Sequence, residues 1–343
     1  MIPNGRCWRL TVVALATLVL PACQSQHEQS AAADTPPVGH YEGTVTPTGQ
    51  AAVRVALDIR HPSPGHYEAE LTVPEAGALS FVADTIFFAD TQLRLTRPAR
   101  PSEALVLMLD GDFWRGTLTL DSLRTEALLV KRGTPTPSTY HVEELPQGTG
   151  SAWLFAPADT GTPGPALALL PTAATAATAA LWADALAREG TIVLVLPAAD
   201  STAAETEAPR LQSALQLLRS TAGADTATIG VWACGSRGPA VAQALQKPGA
   251  RVAFLIIQNA EVDAAGREVF RELRSSKLPV LGLYSGPAAA RQAADLRNAL
   301  GGRRGATVQT YRNAGPDLLV PGGTVPQFGS GLPGNVVEWL RAR

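Results

Sequence analysis

A series of short, continuous apolar runs in the second half of the chain constrains its fold more than any other feature. In chain order the runs read ALALLPT, TIVLVLPA, ATIGVWAC, VAFLIIQNA and LPVLGLYSG. Segments with helical periodicity separate them. Strands that are apolar on both faces and alternate with helices are typical of a mostly parallel sheet with helices on both faces. Residues 151–343 are therefore predicted to form such an α/β domain.

Helices are predicted between these runs and after them. The first spans 177–190 and ends at Gly190, a usual stop residue. The second spans about 206–221 and carries a leucine stripe on one face. The remaining helical segments read GPAVAQALQ, EVDAAGREVFRELRSS, PAAARQAADLRNALGG and GNVVEWLRAR, and a strand, ATVQTYRN, precedes the last.

The region 38–132 shows a different pattern, with period-two strands separated by turn residues such as HPSPG and RPARPS. Several short strands at this spacing predict a small all-β domain, either a sandwich or a barrel. Its histidines, His40, His61 and His66, lie near turns without a metal-ligand spacing. Residues 133–150 are rich in Pro, Gly and Thr and are predicted to be a linker, whose STYHVEEL segment can add a strand to either neighbour.

The N-terminus is predicted to be an export signal. Two arginines precede an apolar run over 10–20, which is too short to span a bilayer as a helix. The run ends in Leu-Pro-Ala-Cys, which resembles a bacterial lipobox and implies cleavage after a signal peptide of residues 1–22 and lipidation of Cys23. The alternative is an ordinary signal peptide with a chance cysteine. Residues 23–37 are polar and patternless, and are predicted to be a flexible tether.

The same resemblance carries a prediction of location. Gln24 follows the cysteine, in place of the Asp that often retains lipoproteins in the inner membrane. We therefore expect an exported, lipid-anchored protein, on the outer membrane and facing the periplasm or the surface. Cys7 would leave with the signal and Cys23 would be acylated, so only Cys234 remains and no internal disulfide is predicted.

Composition and net charge limit the kinds of molecule that the protein is expected to bind. The chain is 45% hydrophobic and 17% charged, has a net charge of −2, and is long enough for two apolar cores. A net charge of this sign and size does not indicate the basic surface that nucleic-acid-binding proteins have. No phosphate-binding glycine loop and no metal-ligand cluster occurs in the sequence, so no cofactor and no metal are predicted.

The order and spacing of the predicted elements resemble the α/β-hydrolase fold across most of residues 151–343. The matching segments are LWADALAREGTIVLVLP, IGVWACGSRGPAVAQAL, LPVLGLYSG and VQTYRNAGPDLL. The first half resembles the β-rich domain that precedes the hydrolase domain in some secreted bacterial members, through GHYEGTV, VALDIR and LDGDFWRGTLTL. The resemblance implies a nucleophile elbow after the strand IGVW, an acid after LPVLGLYSG and a histidine in the VQTYRNAGPDLL segment.

The elbow motif itself does not follow the family. The turn G-x-S-x-G needs small residues around a strained nucleophile. Aligned on the strand, the nucleophile position is Gly235. Shifted by one residue, it is Ser236, but Cys234 then stands where the first glycine belongs. The nucleophile is therefore either absent or is Ser236 in an altered elbow.

The partners of a nucleophile are missing as well. Residues 151–343 contain no histidine, and Pro316 falls about where the base belongs. Ala288 and Ala289 fall at the acid position, and Pro171-Thr172 stands where the oxyanion loop usually has His-Gly. Because proline cannot accept a proton from serine, no Ser-His-acid triad can form within this domain.

Other titratable side chains are poor replacements for the missing base and acid. His141 lies in the linker, and Lys247 and Lys277 lie at predicted helix ends, where a solvated charge is the usual role. Glu261 and Asp263 follow the strand VAFLIIQNA, where some hydrolases place the acid. Without a base they are better explained as carboxylates at a helix N-terminus.

The sequence thus predicts a degenerate, non-catalytic α/β-hydrolase domain that binds a small or lipidic molecule or a protein. Two alternatives stay open: a weak esterase or serine-peptidase-like hydrolase that uses Ser236 with a non-standard base, and a thiol sensor at Cys234, whose pKa a helix N-terminus would lower. The cleft is expected at the C-terminal ends of the parallel strands. Its predicted members are Pro171, Cys234, Gly235, Ser236, Gly286 and Pro316.

Overall fold

The computed structural model describes residues 35–343 except 48, 50, 64–65, 74–79, 84, 98–99, 121–122, 148–149, 201–203, 248, 303–305 and 322–326. The predicted signal peptide, Cys23 and the tether as far as residue 34 lie outside the described residues. Within the described part of the chain, no helix has the length and apolar character needed to cross a membrane.

The first domain is one antiparallel sheet of nine strands in the order β4-β3-β2-β1-β9-β8-β7-β6-β5. The strands are β1 (Gly39–Pro47), β2 (Val53–Ser63), β3 (His66–Thr72), β4 (Ser80–Ala83), β5 (Thr85–Ala89), β6 (Gln92–Arg97), β7 (Arg100–Asp110), β8 (Phe113–Leu120) and β9 (Leu123–Gly133). Contacts between β4 and β6 and between β3 and β5 bring the two edges together, so the sheet curls until it is nearly closed.

The core of this domain fills the inside of the curled sheet. Alternate residues of each strand point inward, as in Val55, Leu57 and Ile59 of β2, and the fully buried Trp114 of β8 lies among them. One sheet therefore encloses one core, which is closer to the predicted small barrel than to two stacked sheets.

The second domain is built on an eight-stranded sheet in the order β10-β11-β13-β12-β14-β15-β16-β17. Its strands are β10 (Tyr140–Gln147), β11 (Gly150–Pro157), β12 (Gly164–Leu170), β13 (Ile192–Val195), β14 (Ala224–Cys234), β15 (Phe254–Gln258), β16 (Val280–Ser285) and β17 (Thr307–Tyr311). β11 runs antiparallel to both of its neighbours, β10 and β13, and all the other neighbouring strands are parallel. A small hairpin of β18 (Leu319–Val320) and β19 (Gln327–Phe328) follows.

Helices cover both faces of this sheet. They are α1 (Ala173–Arg188), α2 (Ala204–Ser220), α3 (Arg237–Ala244), α4 (Ala264–Ser275), α5 (Ala289–Ala299) and α6 (Gly334–Arg341). α2, α3, α4 and α5 bury their apolar stripes in one core, and α1 and α6 bury theirs in the other. Two cores on a central sheet explain why its strands are apolar on both sides. The predicted fold class, a mostly parallel sheet with helices on both faces that follows a small all-β domain, is confirmed.

Some secondary-structure elements begin or belong elsewhere than the sequence predicts. The STYHVEEL segment supplies β10, which pairs with β11 along its whole length and therefore belongs to the second sheet. α1 begins at Ala173, four residues before the predicted start, because Thr172 caps it through a capping box with Thr175. Pro209 lies inside α2.

Charged groups join the two domains. Glu70 of β3 accepts from Arg60 of β2 at 2.8 Å and from Arg188 at the end of α1. Arg188 also binds Asp184, which accepts a hydrogen bond from the Tyr140 hydroxyl. Burial and the neighbouring carboxylate of Asp184 raise the pKa of Tyr140, so its hydroxyl stays a neutral donor.

The linker is tied into the same junction. Asp58 of β2 accepts from the backbone N–H of Thr136 at 2.8 Å and from His40 Nδ1 at 2.9 Å. Arg60 donates to the Thr136 carbonyl. Burial alone would lower the pKa of His40, but Asp58 and then Glu42 outweigh it and raise that pKa above its ordinary value.

Candidate functional site

The turn after β14, where the sequence predicts the elbow, passes sharply from strand to helix. The strand ends at Cys234, Gly235 adopts φ +51°, and Ser236 starts α3 with helical angles. The sharp strand-to-helix turn therefore centres on Gly235. A positive φ costs a side chain about 1–2 kcal/mol, which glycine avoids.

The space above Gly235 is also occupied. A Cβ at that position would lie 3.1 Å from Cγ2 of Thr172. Thr172 is buried and follows Pro171 at the end of β12, where the oxyanion loop of a hydrolase would stand. The neighbouring strand thus places a methyl group, rather than an open anion-binding site, against the elbow.

A buried glutamine organises the centre of this end of the sheet. Gln258, the last residue of β15, accepts hydrogen bonds at Oε1 from Trp232 Nε1 (3.0 Å) and from the Cys234 thiol (3.4 Å). Its Nε2 donates to the Pro316 carbonyl at 2.9 Å, and its own carbonyl accepts from Gly235 N at 2.7 Å. The Trp232 indole can only donate, so it fixes the orientation of the amide.

The next residue completes the network. Asn259 Nδ2 donates to the Pro316 carbonyl at 2.7 Å and to Ser285 Oγ at 2.8 Å, and its Oδ1 accepts from Ser285 N at 2.7 Å. Pro316, at the position expected to hold the base, and Ser285, just before the expected acid position, are therefore linked by the neutral side-chain amide of Asn259. Nothing in this network can take up or hand over a proton near neutral pH.

The segment around Pro316 is packed down onto the sheet. Leu318 is fully buried although its φ is +69°, and Trp182 Nε1 donates to the Asp317 carbonyl at 3.4 Å. Asn259 also has a positive φ, of +48°. Non-glycine residues with positive φ are uncommon and cluster at functional sites, so this end of the sheet keeps the backbone strain of such a site.

A buried ion pair fixes the start of α3 to its surroundings. Arg237 and Glu207 of α2 form a two-pronged pair with hydrogen bonds of 3.2 and 2.9 Å, and both side chains are at most 1% exposed. Arg237 Nη1 also donates to the carbonyls of Pro171 (3.0 Å) and Pro197 (3.1 Å). One guanidinium thereby joins the ends of β12 and β13 to the elbow helix.

Cys234 does not have the environment of a reactive thiol. The side chain is buried, and this burial raises its thiol pKa to about 12, although weaker hydrogen-bond and charge effects oppose the shift. A sensor cysteine needs exposure and a lowered pKa. The thiol-sensor hypothesis is therefore wrong in its premise that the start of α3 lowers this pKa.

Ser236 is exposed on the first turn of α3, one residue past the strained position. His141, the histidine that the sequence offers as a replacement base for Ser236, lies far from it. His141 lies on the edge strand β10, opposite Ala156 and at the level of Ile192, where the parallel strands begin. β14 is four strand spacings away, about 19 Å, and the elbow is at its other end. His141 cannot serve Ser236 as a base in this arrangement.

The remaining titratable candidates have structural roles. Lys247 lies 3.9 Å from Glu205, and Lys277 is exposed next to the start of β16, at the end of the sheet opposite the elbow. Asp263 caps α4 by accepting from Gly266 N at 2.7 Å, as expected for a carboxylate at a helix start. Glu261 is exposed. Among the described residues, no group of three or more His, Cys, Asp or Glu side chains is placed to hold a metal ion.

A cavity of about 410 Å³ lies at the start of α2, and Arg237 is the residue that links it to the elbow helix; the residues of the amide network do not line it. Leu196, Pro197 and Pro209 form apolar walls, and Gln147, Arg210 and Ser213 add polar groups. Arg237 borders the cavity from below the elbow. The volume falls within the range of small-molecule sites.

Comparisons with known proteins identify no family for this chain. No family model and no curated protein matches the sequence. The structure is similar to dipeptidyl peptidase 4 from Porphyromonas gingivalis at 12% identity and a TM-score of 0.46, covering 88% of this chain and 50% of that one. The chain thus spans about half the length of that protein. It is also similar to a sugar hydrolase (YeeB) from Lactococcus lactis at 12% identity and a TM-score of 0.44, covering 59% of this chain and 98% of the other.

Sequence reasoning missed the residues that hold the site together. Gln258 and Asn259 end an apolar run. Two side-chain amides at the end of a buried strand need hydrogen-bond partners, and this could have identified them as part of the site. Arg237 and Glu207 are charged residues next to small, apolar segments. This position indicates that they are buried, but it does not show that they pair with each other. Their pairing across 30 residues is visible only in three dimensions.

Proposed function

We propose that the α/β domain of this chain no longer catalyses acyl transfer and acts by binding a small molecule beside the former catalytic centre. The observation that carries this proposal is the amide network. Gly235 stands at the predicted nucleophile position, and Gln258 and Asn259 bond Pro316, at the predicted base position, and Ser285, which precedes the predicted acid position of Ala288 and Ala289. A hydrolase needs a group that accepts a proton from its nucleophile. Here the amides bonded around the elbow are neutral, and the buried carboxylate nearby, Glu207, is paired with Arg237.

The binding role is supported by what the fold retains. The hydrogen bonds of Gln258 and Asn259 and the buried Arg237–Glu207 pair restrain this end of the sheet. The cavity of about 410 Å³ next to Arg237 gives a ligand an apolar wall and a few polar contacts. We propose this cavity as the ligand site.

The rival is a weak esterase or serine peptidase that uses Ser236. It is tested by following turnover of p-nitrophenyl esters and aminoacyl nitroanilides by the chain from residue 24 onward, with Ser236→Ala beside it. We expect both proteins to give the same rate, equal to buffer. A rate that wild type shows and Ser236→Ala lacks would establish the rival and overturn the proposal.

We further propose that the protein is exported and anchored by acylation of Cys23, with both domains outside the cytoplasm. The support is the lipobox-like sequence and the preceding apolar run. The test is growth of a bacterial host with a labelled fatty acid, comparing wild type with Cys23→Ala. Label in wild type that is absent from the variant is the expected result. Equal label, or none, would contradict the anchor.

A further inference from the structure

The cavity at the start of α2 combines an apolar wall with two arginine side chains. Leu196, Pro197 and Pro209 form the wall, and Arg210 and Arg237 supply the cations. None of the described residues that line this cavity is Asp or Glu. The lining therefore offers apolar surface and positive charge to a ligand, without a side-chain carboxylate of its own.

The carboxylates closest along the chain already have partners elsewhere. Asp200 accepts a hydrogen bond at 2.9 Å from the first backbone N–H of α1. Glu205 lies 3.9 Å from the amine of Lys247. Glu207 is buried and is bonded to the guanidinium of Arg237. These three groups therefore do not supply a partner for the second arginine of the cavity.

That second arginine, Arg210, is the uncompensated cation of the cavity. Its side chain is exposed on α2, and within the part of the chain that the structure describes no carboxylate lies within ion-pair distance of its guanidinium. Positions 148–149 and 201–203 are close in the chain to the lining residues and fall outside the described residues, but their sequence contains no acidic residue. A negative partner for Arg210 would therefore have to come from a ligand.

Arg237 brings a buried donor to the same cavity. A guanidinium carries five N–H groups. The Nε group and one N–H of Nη2 donate to Glu207, and Nη1 donates to the carbonyls of Pro171 and Pro197. Among the bonds of the described residues, the second N–H of Nη2 has no acceptor. Because this side chain is 1% exposed and borders the cavity, an oxygen atom of a ligand there can serve as that acceptor.

The charge balance selects the kind of anion. Glu207 already neutralises Arg237, so Arg210 leaves the cavity with one excess positive charge. A carboxylate carries one negative charge, and its two oxygens accept from two donors at once, which suits guanidinium groups. A phosphate monoester carries about 1.5 to 2 negative charges near neutral pH. Its second charge would lie near the buried Glu207 without a cation to balance it.

We propose that the cavity at the start of α2 binds a small organic acid with an apolar body, whose carboxylate is held by the exposed Arg210 and the buried Arg237. The apolar body lies against the wall of Leu196, Pro197 and Pro209. This inference rests on the ligand site proposed above and adds the chemical class of the ligand.

The test compares two probes that share a phenyl ring and a chain length and differ in charge, hydrocinnamate and its amide, hydrocinnamamide. Their binding to the chain from residue 24 onward is measured by ligand-observed NMR titration near neutral pH at fixed salt. We expect the amide to bind about tenfold or more weakly, which is the factor for losing a charge-assisted hydrogen bond. Arg210→Gln should weaken hydrocinnamate to the level of the amide and leave the affinity for the amide unchanged.

Two further variants show whether the probes occupy this cavity. Ser213→Leu places a larger side chain on the lining surface of α2 and should abolish the binding of both probes. Arg219→Gln is the matched control, because it removes a positive charge from the last turn of the same helix, outside the lining. It should leave both affinities unchanged, and circular dichroism confirms that each variant is folded.

The outcomes separate this inference from the proposal on which it rests. Equal binding of the two probes that Ser213→Leu abolishes would overturn the carboxylate class and leave the cavity as the ligand site. Tighter binding of phenyl phosphate than of hydrocinnamate would overturn that class in favour of a dianion. Binding of neither probe by folded wild type, or binding that Ser213→Leu retains, would overturn the inference together with this cavity as the site. A fluorophosphonate reaction that depends on Ser236 would instead overturn the non-catalytic proposal, whatever the probes do.

Discussion

The pair of Arg237 and Glu207 allows a stability prediction that can be worked from the structure. Arg237→Met removes both hydrogen bonds to the carboxylate and those to the carbonyls of Pro171 and Pro197. Glu207 is fully buried, so it would have to stay charged without this partner or take up a proton. Losing one partner of a buried pair costs about 3–5 kcal/mol of unfolding free energy.

The assay is urea unfolding followed by tryptophan fluorescence, to which Trp182 and Trp232 contribute from the core next to the site. Arg237→Met/Glu207→Leu should recover part of the loss, since no carboxylate is then left without its guanidinium. The Pro171 carbonyl also keeps its hydrogen bond from Ala199 N. The control is Arg341→Met, which breaks an exposed pair with Glu189 and should cost less than about 1 kcal/mol. A loss below about 1 kcal/mol in Arg237→Met would refute the view that this pair fixes the elbow.

Three further predictions follow from the site and the junction. Gly235→Ser should create no esterase activity and should lower stability by about 1–2 kcal/mol, because φ is +51° and Thr172 crowds the new Cβ; ester turnover and urea unfolding check this. Cys234 should resist iodoacetamide near neutral pH until the protein is unfolded, since its pKa is about 12; rapid labelling of folded protein would contradict it. The raised pKa of His40 stabilises the folded state most below its ordinary pKa of 6.5, and this stabilisation disappears as pH rises through the folded value. His40→Gln should therefore lose more stability relative to wild type at pH 6 than at pH 8, and equal losses would exclude the coupling to Asp58.

The architecture of both domains could be predicted because it rests on local patterns. Period-two alternation in 38–132 and continuous apolar runs after 151 each dictate how many faces of a strand are buried. The ends of elements were less certain, since caps such as Thr172 depend on hydrogen bonds three residues away. The curling of the first sheet could not be predicted, because it depends on contacts between strands that are not neighbours in the chain.

The candidate site was predictable only where residue type alone decides the chemistry. Proline at 316 and the lack of histidine in 151–343 exclude a triad without any coordinates. The burial of the Cys234 side chain was not predictable, because a thiol at a strand end is exposed or buried according to which residues pack over it. Gln258 and the loop around Pro316 provide that cover here, and they come from distant parts of the chain.

The most direct test of the central claim is the intact mass of the folded chain from residue 24 onward after incubation with a fluorophosphonate, which modifies any activated serine whatever its substrate. Ser236→Ala serves as the matched control, and circular dichroism confirms that both proteins are folded. We expect no mass increase in either protein. A mass increase of one phosphonyl group in wild type that is absent from Ser236→Ala would show an activated serine and contradict a non-catalytic domain.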